Sequence, residues 1–284
     1  MKGGLQANSR TGDSKRQWRA GFTVVEVMIV LAVTGLLFVA AATLISGKQN
    51  QAAFDQGIQQ VQSQLQQAIN EVASGYYPNL SNFTCKNTGG LLAISAGAAA
   101  QGTNGDCLFV GKVLQFGSGV GTDPEKFATF SLAGLRTDAA GNQNMTLAAT
   151  SPTVIPNSTT TAQLEGGLSV DSMWYGGVKT NTISALAFTS SLGTVSGSGI
   201  LSGTQQVNMI PVTSTALTQD TSATPGTIHN VLSNAGALVN PAGGIQICFA
   251  SGGTDQSGLV TIGNSGASGR ELGVTVDIKS GRSC

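Results

Sequence analysis

The chain is poor in charge, in histidine and in aromatic rings, and each shortage excludes something. Charged residues make up 10% of its 284 positions, against about 25% in ordinary globular proteins. A single histidine, His229, leaves almost no imidazole for general-base work or for metal ligation. The four cysteines form no C-x-x-C pair, so a zinc centre has too few ligands to draw on. His229 lies in TPGTIHNVLSN with no nucleophile pattern around it, and it reads as a structural or solvent-facing residue in a loop or short helix. The cluster Gly117-Ser118-Gly119-Val120-Gly121 is followed by no P-loop lysine and reads as a turn. Asp123 and Glu125 beside it match no calcium-loop spacing. No catalytic site, no cofactor and no metal are expected. Lysine and arginine are missing from the whole interval between Lys179 and Arg270, which leaves a neutral surface suited to like subunits or a polar ligand. Proline is missing between Phe22 and Tyr77, so nothing there breaks a helix.

Glycine is abundant, 39 residues, as are Ser, Thr, Asn and Gln. This is the composition of an extracellular β-rich protein with many turns. The length suffices for one sizeable domain with a real core. Formal charge is zero but unevenly spread. Residues 1–21 hold Lys2, Arg10, Lys15, Arg16 and Arg19 against Asp13, a net +4, and the remainder carries −4. The mildly acidic body argues against broad nucleic-acid binding.

One apolar run dominates the N-terminal part. From Val27 to Gly47 there are 21 residues without a charge, enough to cross a bilayer core as a helix. The basic leader before it stays cytoplasmic by the positive-inside rule. Ala40-Ala41-Ala42 offers an A-x-A cut that would release the C-terminal part of the chain, although the run continues smoothly into a helix. A carboxylate, Glu26, sits just inside the start of the run, where it is costly unless it reaches water or finds a partner. A cut after Gly21 creates such a partner: the new α-amino group of Phe22 lies four residues upstream, one helical turn away.

Gly21-Phe22-Thr23-Val24-Val25-Glu26, with the apolar stretch Val27 to Leu37 behind it, resembles the N-terminal signature of type IV prepilins and pseudopilins. The resemblance covers about 25 residues of the chain. It implies cleavage between Gly21 and Phe22 by a prepilin peptidase, N-methylation of Phe22, and a role for Glu26 in docking the subunit into a helical fibre. It further implies a membrane platform protein, other pilin or pseudopilin subunits as partners, and a driving ATPase outside this chain. The unbroken helix, without the proline of many major pilins, leans toward a minor pilin or pseudopilin. The implied function is structural, in a type IV pilus-like, secretion or DNA-uptake fibre. The alternative is a pilus-tip adhesin or DNA-binding minor pilin for competence. Before assembly such a subunit sits in the cell membrane as a single pass with its N-terminus cytoplasmic. Afterwards it lies in an extracellular fibre or the cell envelope.

After Gly47, Phe54, Ile58, Val61, Leu65, Ile69 and Val72 recur on one helical face and glutamines fill the other. Gly75 is placed as the C-terminal cap and Pro78 closes the segment. Strands are expected over Leu91–Ser95, Cys107–Phe116, Phe127–Leu132, Thr182–Thr189, Gln205–Thr213, Gly244–Ala250, Gly258–Ile262 and Glu271–Lys279. Thr137 to Thr161 reads as a long exposed loop or an insertion between two sub-sheets. The C-terminal strands are similar in pattern to the end of GspH/FimT-like pseudopilins. The expected class is α+β: a long N-terminal helix, transmembrane then amphipathic, on a β-sheet-rich head, pilin-like by the resemblance. The divisions are a leader at 1–21, a membrane and assembly helix at 22–46, an amphipathic stalk at 47–75 and a head at 76–284. Behind an export segment the even cysteine count suggests two disulfides. Of three possible pairings, Cys85–Cys107 with Cys248–Cys284 closes the shortest loops and is favoured. The FimT-like resemblance, in which the C-terminal region contacts DNA, makes Arg270, Lys279 and Arg282 a candidate DNA-contacting group, with Glu271 and Asp277 interleaved.

Overall fold

A computed structural model describes residues 22–75, 83–89, 91–96, 106–116, 123–144, 146–156, 158–190, 207–213, 225–233, 239–264, 272–281 and 283–284. The protein is α+β, with one long apolar N-terminal helix and a sheet-rich C-terminal part. It divides into two compact units, 1–46 and 47–284, and the helix α1 (Val24–Ser74, 51 residues) enters both.

Over residues 24–43 α1 carries its apolar side chains outward all round. Met28, Leu31, Leu36 and Phe38 are all more than half exposed. After Glu26 no charge interrupts this stretch, and β-branched and unbranched apolar residues are compatible with helix throughout. Two threonines bond back to the helix itself. Thr34 Oγ1 donates to Val30 O at 2.8 Å and Thr43 Oγ1 to Ala40 O at 2.9 Å, so neither hydroxyl needs water. By length and composition this is the one helix among the described residues able to cross a membrane.

The second unit begins at Gly47 and takes in the amphipathic half of α1. Its strands are β1 (Phe83–Thr88), β2 (Leu91–Ala96), β3 (Cys107–Phe116), β4 (Lys126–Leu135), β5 (Thr153–Val154), β6 (Thr160–Gln163), β7 (Leu168–Tyr175), β8 (Ile183–Ser190), β9 (Val207–Thr213), β10 (Ile245–Ser251), β11 (Gln256–Asn264) and β12 (Leu272–Ser280). A short helix, α2 (Pro225–Leu232), lies between β9 and β10 in the chain. The strands form an antiparallel hairpin β1-β2, a four-stranded sheet β12-β11-β10-β7 and a six-stranded sheet β5-β4-β3-β8-β9, with β6 also on β4. Every strand pair is antiparallel.

Phe54, Ile58, Val61, Leu65, Ile69 and Val72 of α1 are buried. They share one core with Leu114 and Phe116 of β3, Leu186 and Phe188 of β8, Ile247 and Phe249 of β10, and Val260 and Ile262 of β11. Burial of each such side chain contributes about 1.5–3 kcal/mol. The stripe therefore packs on both large sheets at once. Alternation along the strands sends the intervening residues to the other face. There Val113, Ala185, Ala187, Ile210 and Val212 meet Ile228 and Leu232 of α2. The helix ends where Gly75 takes φ 66°, the left-handed cap that glycine adopts without strain.

Gly57 lets α1 come close to the loop before β7. A Cβ there would stand 2.4 Å from Glu165 O, and one on Gly166 would stand 2.1 Å from Ala53 O. The stretch 137–161, expected as a long exposed loop or an insertion between two sub-sheets, is neither: part of it is bonded along the edge of one sheet. Leu135 N donates to Thr150 O, Ile155 N donates to Ser131 O, and Thr150 and Ser158 are buried. It holds β5 and enters β6, so it lies along the edge of β4.

Candidate functional site at the start of the long helix

The first turn of α1 is closed by a reciprocal pair. Glu26 N donates to Thr23 Oγ1 at 3.2 Å, and Thr23 N donates back to Glu26 Oε2 at 3.4 Å. This is a capping box: threonine at the N-cap, glutamate three residues on, each satisfying an amide that the helix leaves unpaired. The carboxylate also sits at the positive end of the helix dipole. The signal is present in sequence as Thr23-x-x-Glu26 before an apolar run, although the pattern points first to water, the Phe22 amine or assembly as the partner of Glu26. Phe22 precedes the cap, outside the helix, and is 82% exposed. Gly21 lies outside the described residues, as does the leader. The box supplies neutral hydrogen-bond donors to Glu26, and its negative charge is left to be met by something else.

In the head, Cys85 is bonded to Cys107 and Cys248 to Cys284, with Cα atoms 6.1 Å and 5.8 Å apart. The first staples the β1-β2 hairpin to β3, beside Ala133, Leu135 and Ile155. The second ties the chain end back to β10 across β11, where Cys284 also lies against Gly258. Loops of 22 and 36 residues correspond to about 3–4 kcal/mol each in the chain-entropy picture.

The remaining sequence candidates are scattered. Lys279 pairs with Asp277 at 3.1 Å on the exposed face of β12, while Arg270 and Arg282 lie outside the described residues. So does the glycine cluster 117–121. Asp123 is bonded to Lys126 at 2.8 Å and accepts the Glu125 amide, and the Lys126 hydrogen bond holds its carboxyl below the ordinary range. His229, half-buried on α2, sits 3.2 Å from both Pro152 O and Ser233 Oγ. Among the described residues no group of His, Cys, Asp or Glu is placed to hold a metal ion.

A pair that sequence reasoning missed is Glu71 on α1 with Lys112 on β3. The two charges meet largely out of water, at 18% and 12% side-chain exposure, and Gln67 Nε2 donates to the other carboxylate oxygen at 2.8 Å. Lys112 shares the β3 face of Leu114 and Phe116, which looks at α1; the period of two gave that parity but not the partner. Gln62, read as solvent-facing, donates to Val274 O of β12 at 2.9 Å. No family model, no curated protein and no solved structure matches this chain.

Proposed function

We propose that the protein is a pilin-like structural subunit, held in the membrane by α1 and assembled through that helix into a type IV pilus-like or related secretion or DNA-uptake fibre. The observation that carries this reading is the start of α1. A charge-free run of 21 residues, exposed over 27–43, opens on Phe22 and Glu26, behind a leader of net +4. In water such a surface is unsustainable, so it is covered by lipid before assembly and by neighbouring helices after it.

In this reading a prepilin peptidase cuts between Gly21 and Phe22, and Phe22 becomes the N-methylated first residue. The cut removes the cationic leader that retains the chain. It also places an ammonium group one residue before the Thr23 cap. Glu26, already hydrogen-bonded to Thr23, then gains the positive charge that its carboxylate lacks, from its own chain or from a neighbour. A charge pair away from water is worth more than one at the surface, so Glu26 selects subunits whose leaders have been removed. The membrane platform protein and the other subunits are the partners this requires. The head contributes a disulfide-stapled surface with no Lys or Arg between Lys179 and Arg270.

The test is the Glu26→Ala variant of the full chain expressed where filaments form. Incorporation into the filament fraction falls at least tenfold while the head keeps its unfolding temperature. Normal incorporation of the variant sinks the assignment of Glu26.

A further inference from the structure

β12 ends the four-stranded sheet, with β11 on one side of it and no strand on the other. Two bonds fix which of its residues turn outward. Gly281 N donates to Asp255 O at 2.7 Å, just past the β11–β12 ladder and in its register. Alternate residues of an antiparallel strand bond to the same side, so the odd-numbered positions of β12 turn toward β11. Val274 O accepts instead from Gln62 of α1 at 2.9 Å, so the even-numbered positions turn outward. Gln62 thus covers the edge at Val274. Among the described residues no backbone group pairs with the outer side of Val276, Ile278 or Ser280. Ile278 is 38% exposed, and Asp277, Lys279 and Ser280 are exposed as well. An uncovered edge of this kind is a template for a further strand.

We infer that the open end of β12 is a docking edge, and that its occupant is β12 of a second copy, antiparallel, with Ile278 opposite Ile278. Charge complementarity chooses both the occupant and the register. Asp277 and Lys279 project from one face of the strand, two residues apart. With the two-fold axis at Ile278, Asp277 of each copy stands opposite Lys279 of the other. Val276 then stands opposite Ser280, so the outward-turned residues of the two strands meet and exchange their bonds. Asp277 and Lys279 fall at the intervening positions, where facing side chains lie closest. Moving the axis to position 277 or 279 sets Asp opposite Asp or Lys opposite Lys, which is unfavourable. A lysine ordinarily guards an edge against added strands; in this one register it is matched. The contact is isologous and joins two four-stranded sheets into one. It stands apart from the subunit reading, since no part of the apolar span takes part in it.

The experiment uses the full chain in detergent with Ile278→Cys, treated with a short thiol-to-thiol crosslinker. The four native cysteines are held in two disulfides and do not compete. A covalent dimer is expected, with position 278 in both linked peptides. Asp277→Lys added to this chain lowers the dimer yield about tenfold, as does Lys279→Asp, because each sets like charges opposite one another. Both changes in one chain restore the yield, and so does mixing the two single-charge variants. The two side chains are exposed, so the unfolding temperature stays unchanged in each. A yield that ignores the single changes, or that the charge-swapped chain fails to recover, overturns the register. A second peptide outside 272–280 overturns the self-pairing. No dimer at all overturns the docking edge.

Discussion

Replacing Gly57 by alanine isolates the contact between α1 and the head. In a free helix the change is favourable by about 1 kcal/mol, because alanine loses less backbone freedom than glycine. The structure reverses the sign. The added Cβ would stand 2.4 Å from Glu165 O and 2.7 Å from Leu168 Cδ1. Overpacking of a tight core costs about 1–3 kcal/mol, and a backbone oxygen cannot swing away as a side chain can. With the upper end of that cost and the propensity gain subtracted, the net loss is about 2 kcal/mol, or about 4–8 °C for a domain of this size. Gly47→Ala is the control, since nothing lies within 4 Å of its Cβ, and it gains up to about 1 kcal/mol. Thermal unfolding of the full chain in detergent, followed by near-UV circular dichroism, reads both. A rise in unfolding temperature for Gly57→Ala, or shifts of the same sign in both variants, refutes the packing of α1 on the 165–168 loop.

Other expectations rest on single contacts. Glu71→Leu strands Lys112, 12% exposed, at a cost of about 1–3 kcal/mol. Glu71→Leu combined with Lys112→Met recovers most of it, so a double-mutant cycle by chemical denaturation gives a clear coupling energy. Asp138 is held below its ordinary value of 3.8 by hydrogen bonds from the Asn142 side chain, then from the Asn142 and Ala140 amides. A depressed carboxyl contributes in full above 3.8 and loses its contribution as pH falls through the lower, folded value. Amide shifts of residues 138–142 therefore move in an acid step below 3.8 that Asp138→Asn abolishes. Replacing Cys248 and Cys284 together by serine lowers the denaturant midpoint by an amount worth about 3–4 kcal/mol; an unchanged midpoint contradicts the staple.

Much of the head was readable where a strand is buried on both faces or alternates cleanly. Cys107–Phe116 was expected and found with the same ends, because apolar residues on both faces serve two cores. The face of α1 was readable for the same reason, a period of 3.6 that burial respects. β6 was missed since all four of its residues, Thr160 to Gln163, are exposed and carry no apolar signal. β7, LSVDSMWY, was missed because Ser169, Asp171 and Ser172 dilute its pattern, although Leu168, Met173 and Trp174 are buried. Its pairing with β10 joins segments far apart in sequence, and local patterning holds no record of that. Gly57 reads in sequence as a weakness of the helix, when its lack of a side chain is what the close approach requires. At the start of α1 the residues were legible, but the capping box that engages Glu26 was not drawn from them.

The central claim is that the chain is cut after Gly21 to expose Phe22 opposite Glu26. The most direct measurement is intact mass and N-terminal sequencing of the mature protein purified from membranes. The account predicts a chain beginning at N-methylated Phe22. A mature chain that retains Met1 and the basic leader, or one that begins after the Ala40–Ala42 stretch, contradicts it.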